Sequence, residues 1–242
     1  MLADTLRACA GQRLVDSDGE VTTLKLLPPA TPQQVRALEA RIPSPLPDEI
    51  REALAVTTGF VEPPVESFSL LDLEGFGLEE VFPDAYSIAH DGYGNYWVLD
   101  MLPNTTAWGP VYYACHDPAV IAYQAPSVEA FVKDLVARAA DHPESLINEV
   151  HENVVMRLWR DRSALIPQLA AASSSDPVLR ELAGTVAPDA LIADLREARL
   201  GSGFAWGLYG PRTDIQRFGT HPIWAITKPA AKPGLLARLF GR

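Results

Sequence analysis

Two His-Asp pairs are the residues of this sequence best suited by type to do chemistry. His90-Asp91 and His116-Asp117 each set an imidazole beside a carboxylate, a combination that can orient a general base or bind a metal. Each pair also follows a strand-like stretch and precedes a turn, where Asp satisfies backbone donors. The structural role is therefore preferred to the catalytic one. Other arrangements fail on spacing. His151-Glu152-Asn153-Val154-Val155 opens like a zinc-protease helix, but Val155 stands where the second His must sit. No Gly-x-Ser-x-Gly elbow exists, and Gly201-Ser202-Gly203 reads as a flexible turn. A phosphate-binding P-loop is absent. Gly92-Tyr93-Gly94 lacks the third glycine and the following helix of a dinucleotide loop.

Glu79-Glu80 could do acid/base work, but nothing in the sequence positions the pair, and a solvated acidic loop is the preferred reading. Cys9 and Cys115 stand far apart in no metal-like spacing and read as small buried or half-buried thiols. On these grounds no catalytic residue, metal site or cofactor is expected. An enzyme built on His90, His116 and Asp117 is the least favoured of three alternatives.

The elements that would position these residues change character along the chain. A possible helix over Leu2–Ala10 and a strand-like VTTLKL come first. Thr31-Pro32-Gln33-Gln34 then supplies an N-cap, a Pro in the first helical position and a Gln in the third. The helix that follows puts Val35, Leu38 and Ile42 on one face. A second helix starts at Pro47-Asp48-Glu49 with acids in its first turn, buries Ile50, Ala53, Leu54 and Ala55, and stops at Gly59. From about 65 to 125 the period becomes strand-like: SFSLLDL, AYSIAHD, NYWVLDM, PVYYACH and VIAYQA alternate with turn residues. Asp91-Gly92-Tyr93-Gly94-Asn95 is the strongest turn signal, so neighbouring strands are expected to be antiparallel. A helix returns after Ser127 with Val128, Phe131, Val132, Leu135 and Val136 in one stripe.

Past His142-Pro143 a helix to Arg160 places Leu146, Ile147, Val150, Val154 and Leu158 together. Further helical stretches are expected near 163–172, 177–183 and 188–200. GFAWGLYG and HPIWAITKP read as a strand pair. The basic tail, with Leu235, Leu236, Leu239 and Phe240 beside Lys232, Arg238 and Arg242, reads as a frayed or docked terminus in preference to a membrane-surface helix. The fold class expected is α+β: residues 1–142 with a mixed or antiparallel central sheet, and residues 143–242 a mainly helical extension. The Asp141-His142-Pro143 junction is too short for a flexible spacer, so the extension should pack on the first part.

Charge is unevenly placed. The net charge is −11 over 242 residues, but residues 1–142 hold 8 Lys/Arg against 21 Asp/Glu, and residues 143–242 hold 12 against 10. Between Arg51 and Lys133 there is no Lys or Arg, while 12 acids fall in that window. Those carboxylates must find counter-charges at helix ends, elsewhere in the chain, or on a partner. Such a field repels nucleic acid and anionic membrane and attracts a basic protein. No apolar run approaches the ~18–20 residues that span a bilayer, and the start lacks a basic segment followed by an apolar one. A cytoplasmic location follows as an expectation, and the sequon at Asn104 then carries no meaning.

Aromatic residues offer the other half of an interface. Tyr96-Trp97 and Tyr112-Tyr113 lie side by side on strands, where alternation sends one of each pair inward and one outward unless both sheet faces are covered. Trp108, in a loop before Gly-Pro, is the preferred exposed anchor.

Several segments, taken in order, resemble a known family. They are Ile42-Pro43-Ser44-Pro45-Leu46-Pro47 after the first helix, Thr57-Thr58-Gly59 after the second, and the hairpin running from Asp91-Gly92-Tyr93-Gly94-Asn95 through Tyr96-Trp97-Val98-Leu99-Asp100. Gly109-Pro110-Val111-Tyr112-Tyr113 through His116-Asp117, and Ser127 through Phe131-Val132, complete the set. Together, over about residues 30–140, they resemble the SUKH superfamily, the Smi/Knr-type domain. Thr58 stands where the family usually has Asn. The resemblance implies a sheet with helices packed on it and a binding role: bacterial members are largely regarded as immunity proteins against toxins, and fungal relatives act in cell-wall signalling. It brings no catalytic residues.

The resulting expectation is a non-catalytic binding module whose partner is a basic protein such as a toxin domain. Its contact residues would be Glu62, Glu66, Asp72, Glu74, Glu79, Glu80, Asp84 and Asp91, with Tyr93 and Trp108 as aromatic anchors. The alternative is a housekeeping scaffold or regulator that uses the 143–200 segment as a second surface.

Overall fold

The computed structural model describes residues 1–15, 19–62, 65–71, 75–101, 108–140 and 145–229. In chain order the elements are α1 (Leu2–Cys9), β1 (Arg13–Val15), β2 (Val21–Thr23), α2 (Pro32–Glu39), α3 (Asp48–Leu54), β3 (Gly59–Glu62) and β4 (Val65–Ser69). Next come β5 (Ala85–His90), β6 (Tyr96–Met101), β7 (Trp108–His116), β8 (Ala119–Ala125) and α4 (Val128–Ala139). A π-helical turn, Glu149–Val154, runs into α5 (Val155–Arg160), followed by β9 (Ile166–Pro167), α6 (Gln168–Ala172) and α7 (Pro177–Ala183). The last strands are β10 (Leu191–Asp194), β11 (Gly203–Ala205), β12 (Asp214–Arg217) and β13 (Ile223–Thr227). The fold is α+β.

Local chemistry accounts for the helix starts. Thr31 and Gln34 form a full capping box: the Gln34 amide donates to Thr31 Oγ1 at 3.3 Å, and the Thr31 amide donates to Gln34 Oε1 at 2.8 Å. Ser127 Oγ accepts from the Ala130 amide at 3.2 Å and starts α4. The α4 stripe is fully placed, with Val128, Phe131, Val132, Leu135 and Val136 all buried.

The central sheet has seven strands in the order β11-β8-β7-β6-β5-β4-β3. Each neighbouring pair is antiparallel. One face packs on α4 and the π turn: Trp97 lies 5.7 Å from Phe131 and 5.7 Å from His151, ring to ring. The other face is closed by the C-terminal extension. Trp224 of β13 packs edge-on against Phe82 at 5.3 Å and against Tyr112 at 6.3 Å. Both faces being covered, Trp97, Tyr112 and Tyr113 are all buried and Tyr96 is half-buried. The outward member of each aromatic pair expected from alternation is therefore lost to a second layer, and over Tyr112 that layer includes strand β13.

The extension differs from its sequence reading in detail. The 188–200 stretch yields a strand, β10, which pairs with β13 on one side and β9 on the other. Residues 203–205 and 223–227 are strands but not partners. β11 joins β8 at the edge of the central sheet, while β13 lies between β12 and β10 in a separate four-stranded sheet. The reason is that Ile192, Ile223 and Ala225 bury against Leu179, Leu182 and Ala183 of α7 as a small second core. Trp224 and Ile226, the alternate residues of β13, belong instead to the main core. A strand apolar on both faces carries no periodicity that separates it from a short helix.

Candidate functional site

The acidic segment between β4 and β5 is held in place by hydrogen bonds and by one ring. The Val81 and Phe82 amides donate to Leu78 O at 2.9 and 3.0 Å, making a helical turn. Glu79 Oε1 accepts from the Phe76 amide at 2.8 Å and the Gly77 amide at 3.2 Å. Burial works against the charge on Glu79, but these amides and its own outweigh it and hold the carboxyl below the usual range. Phe82 is fully buried, 5.5 Å from the Tyr112 ring. Trp224 Nε1 donates to Val81 O at 2.6 Å, so the extension reaches over the sheet and fastens the turn from beneath.

A cleft of about 340 Å³ opens where this segment meets the start of β5 and the end of β6. Arg41, Phe76, Glu79, Asp84, Tyr86 and Met101 line it. Tyr86 is 6 % exposed, and its hydroxyl is buried with no hydrogen-bond partner. Burial pushes this phenol well above its ordinary pKa, so it stays a neutral O–H. Leaving such a group unpaired costs on the order of 1–3 kcal/mol. Trp108 packs edge-on against Tyr86 at 5.5 Å, and its Nε1 is likewise buried and unpartnered. Asp84 is half-buried, and its carboxylate has no hydrogen bond or ion pair among the described residues; Glu80, exposed beside it, has none either. Behind them the buried Asp100 carboxyl is raised by burial, with a further push from Asp84, and pulled back by Arg217.

The structure thus divides the acids of the cation-free window. Asp100 finds its counter-charge elsewhere in the chain, in Arg217 of β12. Glu129 pairs with Lys133 at 2.7 Å. Asp91 is spent within the hairpin, accepting from the Tyr93 and Asn95 amides and from Asn95 Nδ2 at 2.6 Å. Its side chain is only 6 % exposed, so it belongs to the turn and not to an open acidic surface. Glu62 and Glu66 stand on β3 and β4; Asp72 and Glu74 lie outside the described residues, as does the basic tail.

Of the two anchors, Tyr93 is 83 % exposed at the hairpin tip. Trp108 opens β7, half-buried, where an exposed loop position was expected. Of the expected contact residues, the cleft gathers Glu79 and Asp84 directly, with Glu80 adjoining and Trp108 behind Tyr86. Tyr86, Arg41, Arg217 and Trp224 were not legible as site residues. Tyr86 sits in an ordinary strand pattern, and Arg217 and Trp224 depend on contacts across 117 and 143 residues of chain.

The histidine chemistry does not assemble. His90 and His116 lie on β5 and β7 with β6 between them, which sets them on the order of 10 Å apart. His116 Nδ1 lies 2.9 Å from Asn95 Oδ1, an oxygen that also accepts the His116 amide at 3.0 Å. Asp117 is exposed. Among the described residues no three His, Cys, Asp or Glu side chains are grouped to hold a metal ion, and no helix is long and apolar enough to cross a membrane.

No curated protein matches the chain, and no solved structure does. The family comparison does match, over the segment that builds β3 to β8 and most of α4. Residues 29–134 of this chain match the model of the SMI1 / KNR4 family (SUKH-1).

Proposed function

We propose that this protein is a non-catalytic, cytoplasmic binding module that neutralises a basic toxin domain by occlusion. The observation that carries this reading is Glu80 and Asp84: two carboxylates without partners among the described residues, on and just after a turn that Trp224 fixes at Val81. Unpaired acids on a rigid support raise the rate at which a basic protein arrives, and a buried contact then slows its departure. The match of residues 29–134 to the SMI1 / KNR4 family model, a family resembled by immunity proteins against toxins, supports a toxin as the partner. Glu62, Glu66, Asp72 and Glu74 are further candidate contacts, with Tyr93 as an aromatic contact at the hairpin tip beyond the other end of β5.

The test is capture of partners from the source lysate by the tagged full-length protein at low and high salt, followed by expression of the captured protein alone. The expected result is a basic protein released by salt, toxic when expressed alone and silenced when this chain is expressed with it. A harmless partner, or a neutral or acidic complex that survives high salt, would overturn the reading in favour of a scaffold.

A further inference from the structure

The π-helical turn Glu149–Val154 carries a buried polar atom that only the protein itself can answer. Its wide ring closes from the Val155 amide to Val150 O, five residues back. Turns of this kind are rare and recur at functional sites. This one inserts the His151 ring into a slot on the central sheet, stacked on Trp97 and edge-on to Tyr113. His151 Nε2 is buried and unpartnered, although the side chain as a whole is 24 % exposed. A proton can therefore reach the ring from its open side, while nothing from outside reaches Nε2. What faces Nε2 is Asp91 Oδ2, 3.8 Å away. That carboxylate is held still: Asn95 Nδ2 donates to Oδ2 at 2.6 Å, and the Tyr93 and Asn95 amides donate to Oδ1.

We propose that His151 and Asp91 form an acid-closed latch between the π-helical turn and the Asp91–Asn95 hairpin. At 3.8 Å the pair is too long for a hydrogen bond, and with a neutral ring the latch stands open. An imidazolium carries a proton on both ring nitrogens, so a charged N–H then points at a carboxylate oxygen with a lone pair to spare. Charge-assisted bonds close to about 2.8 Å, a movement of roughly 1 Å. Among the described residues the His151 side chain has no hydrogen bond to break in making it. The other charged and titratable groups around the ring do not compete for Nε2. Glu152 on the turn itself favours the cation and Arg138 of α4 opposes it. On β7, which supplies Tyr113, the Cys115 thiol is pushed up by burial. β8 carries no charged side chain. The latch would tie the C-terminal extension to a hairpin whose tip bears Tyr93, 83 % exposed. It does not depend on what the protein binds.

The ring itself is the reporter. The full-length protein, labelled with ¹⁵N on histidine and asparagine, is followed by nuclear magnetic resonance from pH 7 to pH 5, with the His151 signals assigned from His151→Phe. His151 is expected to take up its proton below pH 6.5, since burial disfavours the charged ring. Its Nε2–H should then persist against exchange with water and show a nuclear Overhauser contact to the Asn95 side-chain amide, which shares Asp91 Oδ2. Asp91→Asn should weaken the hold of His151 on its proton roughly tenfold or more, because an opposite charge at this range favours the charged ring. A ring that stays neutral down to pH 5 would overturn the latch. So would a charged ring whose Nε2–H is lost to water or lacks that contact, or an unchanged hold on the proton in a folded Asp91→Asn protein. Asp91 also closes the hairpin, so the wild-type titration decides the matter even if Asp91→Asn fails to fold.

Discussion

Arg217 and Asp100, 117 residues apart in the chain, meet in a fully buried fork-to-fork ion pair. Arg217 Nη1 donates to Asp100 Oδ1 at 2.7 Å and Nη2 donates to Oδ2 at 2.9 Å, with the side chains 3 % and 1 % exposed. The guanidinium also sits 5.2 Å from the centre of the Trp224 ring. This pair joins β12 of the extension to β6 of the central sheet. Removing one partner strands a charge in the core, and a cost of about 3–5 kcal/mol is expected for Arg217→Met or Asp100→Leu alone. The double variant should recover most of that loss, since neither charge then remains. Urea unfolding of the four proteins in a double-mutant cycle measures the coupling; single variants costing under ~1 kcal/mol would contradict a buried pair.

The extension should be inseparable from the family domain. A fragment ending at residue 142 would expose Tyr112 and Phe82 on the sheet face that Trp224 covers, and it would leave Asp100 without its cation. Such a fragment is expected to aggregate or to bind a hydrophobic dye. Trp224→Ala in the full chain should cost about 3–5 kcal/mol and free the Val81 carbonyl. Faster amide exchange over residues 76–82 would register that release, and a protection pattern identical to the wild type would refute it.

Glu79 and Glu80, adjacent and both exposed, should respond differently to neutralisation. Glu79→Gln gives up the anionic acceptor that closes the Phe76 and Gly77 amides. Its loss should cost about 1 kcal/mol, on the scale of a lost cap. Glu80→Gln touches no such contact and should leave stability unchanged while reducing the salt dependence of partner binding. Thermal melts and binding at two ionic strengths separate the two effects.

His151 should make the protein acid-sensitive. It stacks on Trp97 and lies edge-on to Tyr113 at 4.4 Å, with Nε2 buried and unpartnered. Burial lowers its pKa below the ordinary 6.5, and Asp91 Oδ2 at 3.8 Å only partly opposes this. The folded state therefore favours neutral imidazole. Its contribution is fully present above pH 6.5 and is lost as pH falls through the folded-state pKa, because the unfolded chain takes up the proton first. One such proton changes stability by at most ~1.4 kcal/mol per pH unit. His151→Phe keeps a ring in the stack and removes the titration. Its stability should be flatter than the wild type's between pH 7 and 5, and parallel curves would show that His151 does not titrate in this range.

Sequence alone determined the local part of this protein. The capping box at Thr31 and Gln34, the Ser127 cap, the α4 stripe and the Asp91–Asn95 hairpin each depend on residues within a few positions of one another. Their geometry therefore follows from residue type and spacing. The order of strands β4 to β8 followed from the same punctuation, and the family segments lay along it. Asp91 as a turn residue was equally local. What tertiary structure decided is how the two halves of the chain share one core. Trp224 and Ile226 face the central sheet while Ile223 and Ala225 face α7, and an apolar run of four residues cannot announce that division. The destination of the acids was decided the same way. The twelve carboxylates between Arg51 and Lys133 look alike in sequence, yet Arg217 claims Asp100, Lys133 claims Glu129 and backbone amides claim Glu79 and Asp91, while Glu80 and Asp84 are among those with no partner among the described residues. A long-range ion pair costs no local pattern and leaves none, so only the packed structure separates an acid spent on the fold from one left for a partner.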